Sequence, residues 1–243
     1  MTVGSDLDQG TPAYEEHIGG SRQYWRDIIL GVNDGLVSML LLVVGVVGGG
    51  LTADQVLLTA VVGAIAGAVS MGAGEFLATQ SQDEVLSAEL KLETVHIKYH
   101  RADELAQLRQ MFSDMGLADD DLDGIVSAFD RSDEAMLNAM KVLEFGIIDS
   151  ERRSPYTAMA MSGALFLVGA ATSVLPFLFT NSTTVGLWWA AVLTAVGLYA
   201  VGVVKSVVTR TSSVRSGLEN MSIAGLGAAV AWWVGDLIEA GIS

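Results

Sequence analysis

The chain has 243 residues, of which 51% are hydrophobic and only 17% are charged, so it is too apolar to be a disordered protein. It contains no cysteine, which excludes a disulfide scaffold and a thiolate metal site. Its formal net charge of −15 argues against nucleic acid as a partner.

Five apolar blocks dominate the chain, and each has roughly the 20 residues that a helix needs to cross a bilayer. They lie at residues 28–51, 56–74, 158–179, 184–204 and 218–237. Such blocks leave no polar face to meet water, so we predict an all-α, polytopic protein with five transmembrane helices. The predicted segments are a disordered N-terminal tail at 1–23, helices 1 and 2 at 24–81, a polar helical module at 82–154 and helices 3 to 5 at 155–243.

The basic residues predict the orientation of these helices. All 13 lysines and arginines lie before helix 1, between helices 2 and 3, or between helices 4 and 5. These three segments share one side of the membrane, which the positive-inside rule assigns to the cytoplasm. We therefore expect an integral membrane protein with a cytoplasmic N-terminus and a C-terminus on the opposite side.

Two carboxylates fall within or beside the first two spans. Asp34 lies about a third of the way into helix 1, and Glu75 lies near the cytoplasmic end of helix 2. An ionised carboxylate in a bilayer is costly, which makes both residues candidates for an ion pathway, although Glu75 could instead extend to the interface. Met71 would add a soft ligand at the same depth, and the neighbouring glycines allow helices to approach closely.

The polar module at 82–154 carries 17 acids and 8 bases, so it attracts cations rather than an anionic lipid surface. No glycine or proline interrupts residues 82–111, which predicts that helix 2 continues out of the membrane until Met115 and Gly116. Two further helices are predicted at 119–129 and 132–148, the second with Ser132 as its N-cap. Ser154 and Pro155 then begin helix 3.

Two stripes of ligand-type side chains follow from helical spacing in this module. The first comprises Glu89, Glu93, His96, His100 and Glu104, whose oxygen and nitrogen atoms are typical ligands of Fe²⁺, Mn²⁺ and Zn²⁺. A solvated acidic face would look similar, but this stripe holds two of the three histidines and lacks interleaved lysines. The second stripe comprises Asp133, Met136, Met140 and Glu144. Its methionines either pack against the first module helix or join Glu144 in a softer metal site, and both can hold at once.

The acidic run at 119–124 resembles the first half of an EF-hand calcium loop, with Asp130 at the position of the final glutamate. Aspartate is a poor substitute there, and residues 125–129 have a helical pattern. We therefore expect the start of a helix, favoured by the helix dipole, rather than a calcium site.

The segments at 27–38, 70–78, 144–146, 154–155 and 215–217 together resemble the vacuolar iron transporter family, and the match runs from Tyr24 to Gly235. The resemblance implies a five-helix homodimer that exports Fe²⁺, and often Mn²⁺, from the cytoplasm in exchange for H⁺. It implies that Asp34 and Met71 line the path at the dimer interface. It also implies a cytoplasmic metal site that includes Glu93, Glu104, Met140 and Glu144. His96 and Gln107 stand where that family has glutamate, so the ligand set of this chain differs.

Three functions remain in view: a transporter of divalent cations driven by protons, a membrane-anchored metal sensor or store, and a scaffold without metal chemistry. Asp34 and Met71 favour the transporter, because a sensor needs no carboxylate inside the bilayer. No nucleophile–base pair indicates an enzyme, and no prosthetic cofactor is expected; Fe²⁺, Mn²⁺ or Zn²⁺ would bind as substrate or regulatory ion. The expected location is the plasma (inner) membrane of a prokaryote or the vacuolar membrane of a eukaryote.

Overall fold

The computed structural model of the chain describes residues 22–146, 154–209 and 212–242, and within these ranges it contains eight α-helices. They are α1 (Arg22–Gly48), α2 (Ala53–Tyr99), α3 (Arg101–Asp114), α4 (Asp119–Asp130), α5 (Asp133–Leu143), α6 (Pro155–Leu178), α7 (Thr183–Thr209) and α8 (Ser213–Ile242). Five of them, α1, α2, α6, α7 and α8, are long and apolar enough to cross a membrane. The predicted all-α class with five candidate membrane-spanning helices is confirmed. The predicted tail lies outside the described residues except for its last two, with which α1 already begins.

The five long helices form a bundle in which α1 packs against all four others. α6 packs against α1, α2 and α7, while α8 packs against α1 and α7. The contact between α1 and α6 is close: a Cβ built on Gly35 would lie 2.1 Å from the Phe166 carbonyl oxygen. Only glycine permits this backbone approach, so the small residues of helix 1 set the spacing of the bundle.

The bundle has two different ends. At one end, which we call the module end, α2 projects beyond the bundle and packs against α3 and α5. α4 packs in turn against α3 and α5. The 47 residues of α2 span about 70 Å, more than twice the roughly 30 Å of hydrocarbon in a bilayer. The opposite end, which we call the far end, carries the α1–α2 turn at 49–52, the α6–α7 loop and the end of α8.

The sequence predicts one helix through residues 82–111, and the structure differs at His100. The backbone there has φ −127° and ψ 32°, so α2 ends and α3 starts afresh, with the amides of Asp103 and Glu104 donating to the His100 carbonyl. The break is caused by tertiary contacts. Arg101 binds the carboxylates of Asp130 and Asp133, 29 and 32 residues away, and α3 buries Leu108 completely.

The two later module helices start where the sequence predicts. α4 begins at Asp119, and the Ser132 hydroxyl caps α5 by accepting a hydrogen bond of 3.2 Å from the Ala135 amide. α5 ends earlier than expected, at Leu143 rather than 148. The chain turns at Gly146, whose φ of +65° is a left-handed conformation that favours glycine. The remainder of that predicted helix, residues 147 and 148, lies outside the described residues.

Candidate functional site

Three ligand-type side chains, Glu93, His96 and Glu104, converge where α2 ends and α3 begins; we call them the ligand trio. Glu93 and His96 lie one turn apart on α2, and Glu104 comes from the first turn of α3. The break at His100 redirects α3, so Glu104 reaches this site from a second helix rather than along a single stripe. One ligand atom from each residue lies within 4.8 Å of the others, a separation that one divalent cation can bridge.

The ligand trio is polar but largely removed from solvent. Glu93 and Glu104 are only 4% and 5% exposed, whereas His96 is half-buried. His96 Nδ1 lies 3.2 Å from Glu104 Oε1 and 4.0 Å from Glu93 Oε2. The other oxygens, Glu93 Oε1 and Glu104 Oε2, are buried without a hydrogen-bond partner. Such atoms are costly to bury, and a cation bound between them would remove that cost.

Negative charge accumulates around Glu93. Burial, together with the nearby carboxylates of Glu104 and Glu144, raises the pKa of Glu93 to about 7. Glu93 therefore takes up a proton much more readily near neutral pH than an ordinary glutamate does. A divalent cation favours the ionised carboxylate, so its binding would release that proton.

The remaining residues of the first predicted stripe lie outside this group. Glu89 is exposed one turn before Glu93 on α2. His100 is exposed at the break, with its ring edge-on to His96 and its Nδ1 3.9 Å from the Asp103 carboxylate. A straight helix would have aligned all five side chains, but the break at His100 separates them into three that converge and two that face solvent.

The second predicted stripe divides into buried and exposed members. Met136 and Met140 are fully buried on α5, which packs against α2 and α4, and this favours the interpretation that they are packing residues. Glu144 is exposed just after α5, yet it lies close enough to raise the pKa of Glu93. It is therefore the residue of this stripe that acts on the ligand trio.

The EF-hand-like run is helical, in agreement with the expected helix start. Its residues form α4 from Asp119 to Asp130 instead of the loop that wraps calcium. Three of its acids are engaged by arginines: Asp119 and Asp123 bind Arg109, and Asp130 binds Arg101 with an Nε–Oδ1 distance of 2.6 Å. These ion pairs tie α4 to α3 and leave fewer carboxylates for a cation.

A cavity between α1 and α2 brings together the two candidates predicted inside the membrane. It has a volume of about 420 Å³, and Asp34, Ser38, Ser70 and Met71 line it. The Ser38 hydroxyl donates a hydrogen bond of 2.7 Å to Asp34 Oδ1, which fixes that carboxylate at the cavity wall. The cavity therefore presents a carboxylate, hydroxyl groups and a thioether at one depth in the span, a mixed set that can replace water around a divalent cation.

Glu75 lies on the module side of this cavity, near the start of α1. Its Oε1 is 3.7 Å from Arg26 Nη2, and the same guanidinium is 3.3 Å from Asp27 Oδ1. Asp27 is only 3% exposed. It is not among the residues predicted from the sequence, because it precedes the first apolar block. Its spacing of two helical turns from Asp34 places both carboxylates on one face of α1, and this spacing could have identified it.

Comparison with known proteins yields one family and several relatives. The family model described as "VIT family" matches residues 25–236. The chain is 25% identical over 214 residues to vacuolar iron transporter 1 of Arabidopsis thaliana, covering 88% of this chain and 86% of that protein. It is 28% identical over 217 residues to vacuolar iron transporter 2 of Oryza sativa, covering 88% and 87%. It is 26% identical over 254 residues to protein CCC1 of Saccharomyces cerevisiae, covering 96% and 77%. The transporter names agree with the prediction that the chain is not an enzyme.

Proposed function

Because the chain belongs to the VIT family, whose model matches residues 25–236, we propose that it transports Fe²⁺, and also Mn²⁺, across a membrane. The observation that carries the proposal is the cavity that holds Asp34 and Met71 between two apolar helices. A carboxylate inside a membrane span is costly, so it is best explained by a role in an ion pathway. The two relatives named as vacuolar iron transporters support iron as the cargo.

The positive charges support an orientation. In the sequence, all 13 bases lie before the first apolar block, between the second and third or between the fourth and fifth, so the module end faces the cytoplasm and the far end faces the opposite side. The ligand trio lies on the cytoplasmic side in this orientation. A cation loaded there from the cytoplasm would leave on the opposite side, which suits the removal of excess metal.

The acidic module concentrates and selects the cation before it enters the span. Glu93, His96 and Glu104 bind it with two carboxylates and an imidazole, and the exposed Glu144 adds negative charge nearby. Borderline metals such as Fe²⁺, Mn²⁺ and Zn²⁺ accept this set of ligands. The cation then passes Glu75 and reaches Asp34, where Met71 and Ser38 complete the site.

Protons provide the driving force. The Asp34 carboxylate can hold either a divalent cation or a proton, and binding of one displaces the other. A proton arriving from the far side therefore releases the cation, and a cation arriving from the cytoplasm releases the proton. This exchange at one carboxylate makes the protein an H⁺ antiporter.

The functional unit is a homodimer. On the part of α2 beyond the bundle, Val85, Leu92, Val95 and Tyr99 are exposed, and together with Ala88 they are spaced alternately three and four residues apart. Apolar residues at this spacing are the seam of a coiled coil. A second copy paired in parallel along this seam would also bring the two α1–α2 faces together and close the Asp34 cavity.

The proposal is tested by metal uptake into proteoliposomes under a pH gradient. The wild-type protein should move Fe²⁺ and Mn²⁺ into the acidic compartment, because protons leave that compartment as cations enter. Asp34→Asn should reduce this uptake to the background of empty liposomes, since the amide keeps the shape but neither ionises nor takes up a proton. Asp54→Asn is the matched control: Asp54 is exposed in the first turn of α2 at the far end, and its loss should leave uptake unchanged.

Two results would contradict the assignment. Uptake by Asp34→Asn at the wild-type rate would transfer the coupling role to Glu75. Absence of uptake by the wild-type protein for Fe²⁺, Mn²⁺ and Zn²⁺ would reject transport. In that case metal binding at the ligand trio would favour the second candidate, a membrane-anchored metal sensor or store.

A further inference from the structure

Arg101 is the first residue of α3, directly after the break at His100, and its guanidinium joins three helices of the module. Its Nε donates to Asp130 Oδ1 at 2.6 Å, its Nη1 donates to Asp133 Oδ1 at 2.5 Å, and its Nη2 donates to the Asp130 carbonyl oxygen. Asp130 is the last residue of α4 and Asp133 is the first of α5, so one side chain holds the start of α3 against the junction of the other two helices. We call these contacts the Arg101 clamp.

The Arg101 clamp lies on the same face of α3 as a member of the ligand trio. Arg101, Glu104 and Leu108 are spaced three and four residues apart, so their side chains lie on one face of the helix. Leu108 is completely buried and Glu104 is 5% exposed, so this face is turned into the module, with Arg101 at its rim. The clamp therefore fixes the first turn of α3, which is the turn that carries Glu104.

Glu104 does not reach the ligand trio along a continuous helix. Glu93 and His96 belong to α2, which ends at Tyr99, and the backbone at His100 leaves the helical region before α3 begins. The direction of α3 relative to α2 must therefore be set by contacts with the rest of the module. α3 packs against α4 and α5 packs against α2, and the Arg101 clamp connects the two pairs at the helix ends.

The geometry of the clamp is suited to fixing a direction. An ordinary exposed ion pair contributes little, but a guanidinium held by two carboxylates and a carbonyl oxygen forms a network with defined directions. A lysine would present a compact ammonium without this planar fork. Binding to Asp130 and Asp133 also keeps the guanidinium away from Glu104, one turn further along the same face, where it would compete with a cation.

We propose that Arg101 is a positioning residue of the cation site: its clamp holds Glu104 beside Glu93 and His96, so the site is complete only when α3, α4 and α5 are held together. This inference rests on the proposed function, because it takes the ligand trio as the site that binds the cation. Loss of a residue that orients a metal ligand typically lowers metal affinity by about 10–100-fold.

Mn²⁺ titration calorimetry on the full-length protein, with Asp34→Asn to remove the membrane site, tests the clamp. Arg101→Gln should weaken Mn²⁺ binding by about 10–100-fold, because Glu104 is no longer held at the site. Zn²⁺ binding should weaken less, because the imidazole of His96 remains and suits zinc better than manganese.

Arg109→Gln is the matched control for the loss of an arginine. Arg109 also lies on α3 and also binds two aspartates, Asp119 and Asp123, but both belong to α4 and neither to α5. Its loss removes ion pairs between α3 and α4 and leaves the Arg101 clamp in place. Both metal affinities should therefore remain unchanged in Arg109→Gln.

A double-mutant cycle separates positioning from a general loss of stability. Because Arg101 acts through Glu104, Arg101→Gln should weaken Mn²⁺ binding no further in a protein that already carries Glu104→Gln. Arg101→Lys keeps the charge without the fork, so it should show a smaller loss with the same dependence on Glu104. It replaces Arg101→Gln in the cycle should that variant not fold.

The outcomes distinguish this inference from the proposed function. Unchanged Mn²⁺ binding in Arg101→Gln, equal losses in Arg101→Gln and Arg109→Gln, or losses that multiply in the double variant would overturn the positioning role and leave the cation site intact. Absence of Mn²⁺ binding from the protein that carries only Asp34→Asn would instead reject the ligand trio as a cation site, and with it that step of the proposed function.

Discussion

Glu93 and Glu104 show at the residue scale that burying carboxylates without partners is costly. Both carboxylates are buried, and each has an oxygen without a hydrogen-bond partner. The pKa of Glu93 is raised from 4.5 to about 7, so the folded state prefers the protonated form. The stability that this proton provides is fully present below about pH 4.5 and is lost as the pH rises to about 7. Through this residue, the protein is thus less stable at pH 8 than at pH 5.

Metal binding by the ligand trio should therefore strengthen as the pH rises towards 7. Displacement of one proton from Glu93 predicts about a tenfold gain in affinity per pH unit below pH 7 from this residue alone. Mn²⁺ titration calorimetry on the full-length protein, with Asp34→Asn to remove the membrane site, measures this dependence. Glu93→Gln should weaken binding and reduce the slope by about one log unit per pH unit. Glu89→Gln, the exposed control one turn earlier, should change neither, and an unaltered slope in Glu93→Gln would refute the assignment.

Most helices could be predicted from the sequence, because their signals are local. Long apolar blocks, Ser132 as a cap and Pro155 as a first residue each act within a few residues. The break at His100 could not be predicted, because it depends on ion pairs of Arg101 with residues about 30 positions away. The spacing of Glu93 and His96 alone predicts that their side chains lie together on one face of the helix. Glu104 comes close to them only because the helix breaks at His100.

The contact between α1 and α6 gives a prediction at the scale of an element pair. Gly35→Ala would place a methyl group against the Phe166 carbonyl, so the helices must separate, and we expect a loss of about 1–3 kcal/mol or more in stability. Gly225→Ala is the matched control, since a Cβ built on Gly225, which lies within the α8 span, has no atom within 4 Å. Thermal unfolding in one detergent compares the two variants. Equal melting temperatures would show that α1 and α6 tolerate a wider spacing.

The whole molecule, as we propose it, is a pair of chains joined along the exposed seam of α2. Leu92→Glu would bury two like charges at this seam and remove two leucine contacts, at a cost of about 3 kcal/mol per dimer from the lost burial alone. The dimer should then dissociate at concentrations about a hundredfold higher than for the wild type. Mass photometry across a dilution series measures this change. Val142→Glu, an exposed apolar position on α5 and not on α2, serves as control, and equal dissociation of both variants would exclude the seam.

The unbroken course of α2 has a mechanical consequence. Met71 and Glu93 lie on nearly the same face of this one helix, about 33 Å apart along its axis. A tilt of only about 5° at the depth of Met71 would swing Glu93 sideways by about 3 Å, since the helix behaves as a stiff lever. Glu93 and His96 lie on α2, and α3 and α5 pack against it, so such a tilt would carry the proposed module site with the helix. A movement of α2 that opens the span would therefore shift the proposed site at the same time, which would link loading of the cation to gating.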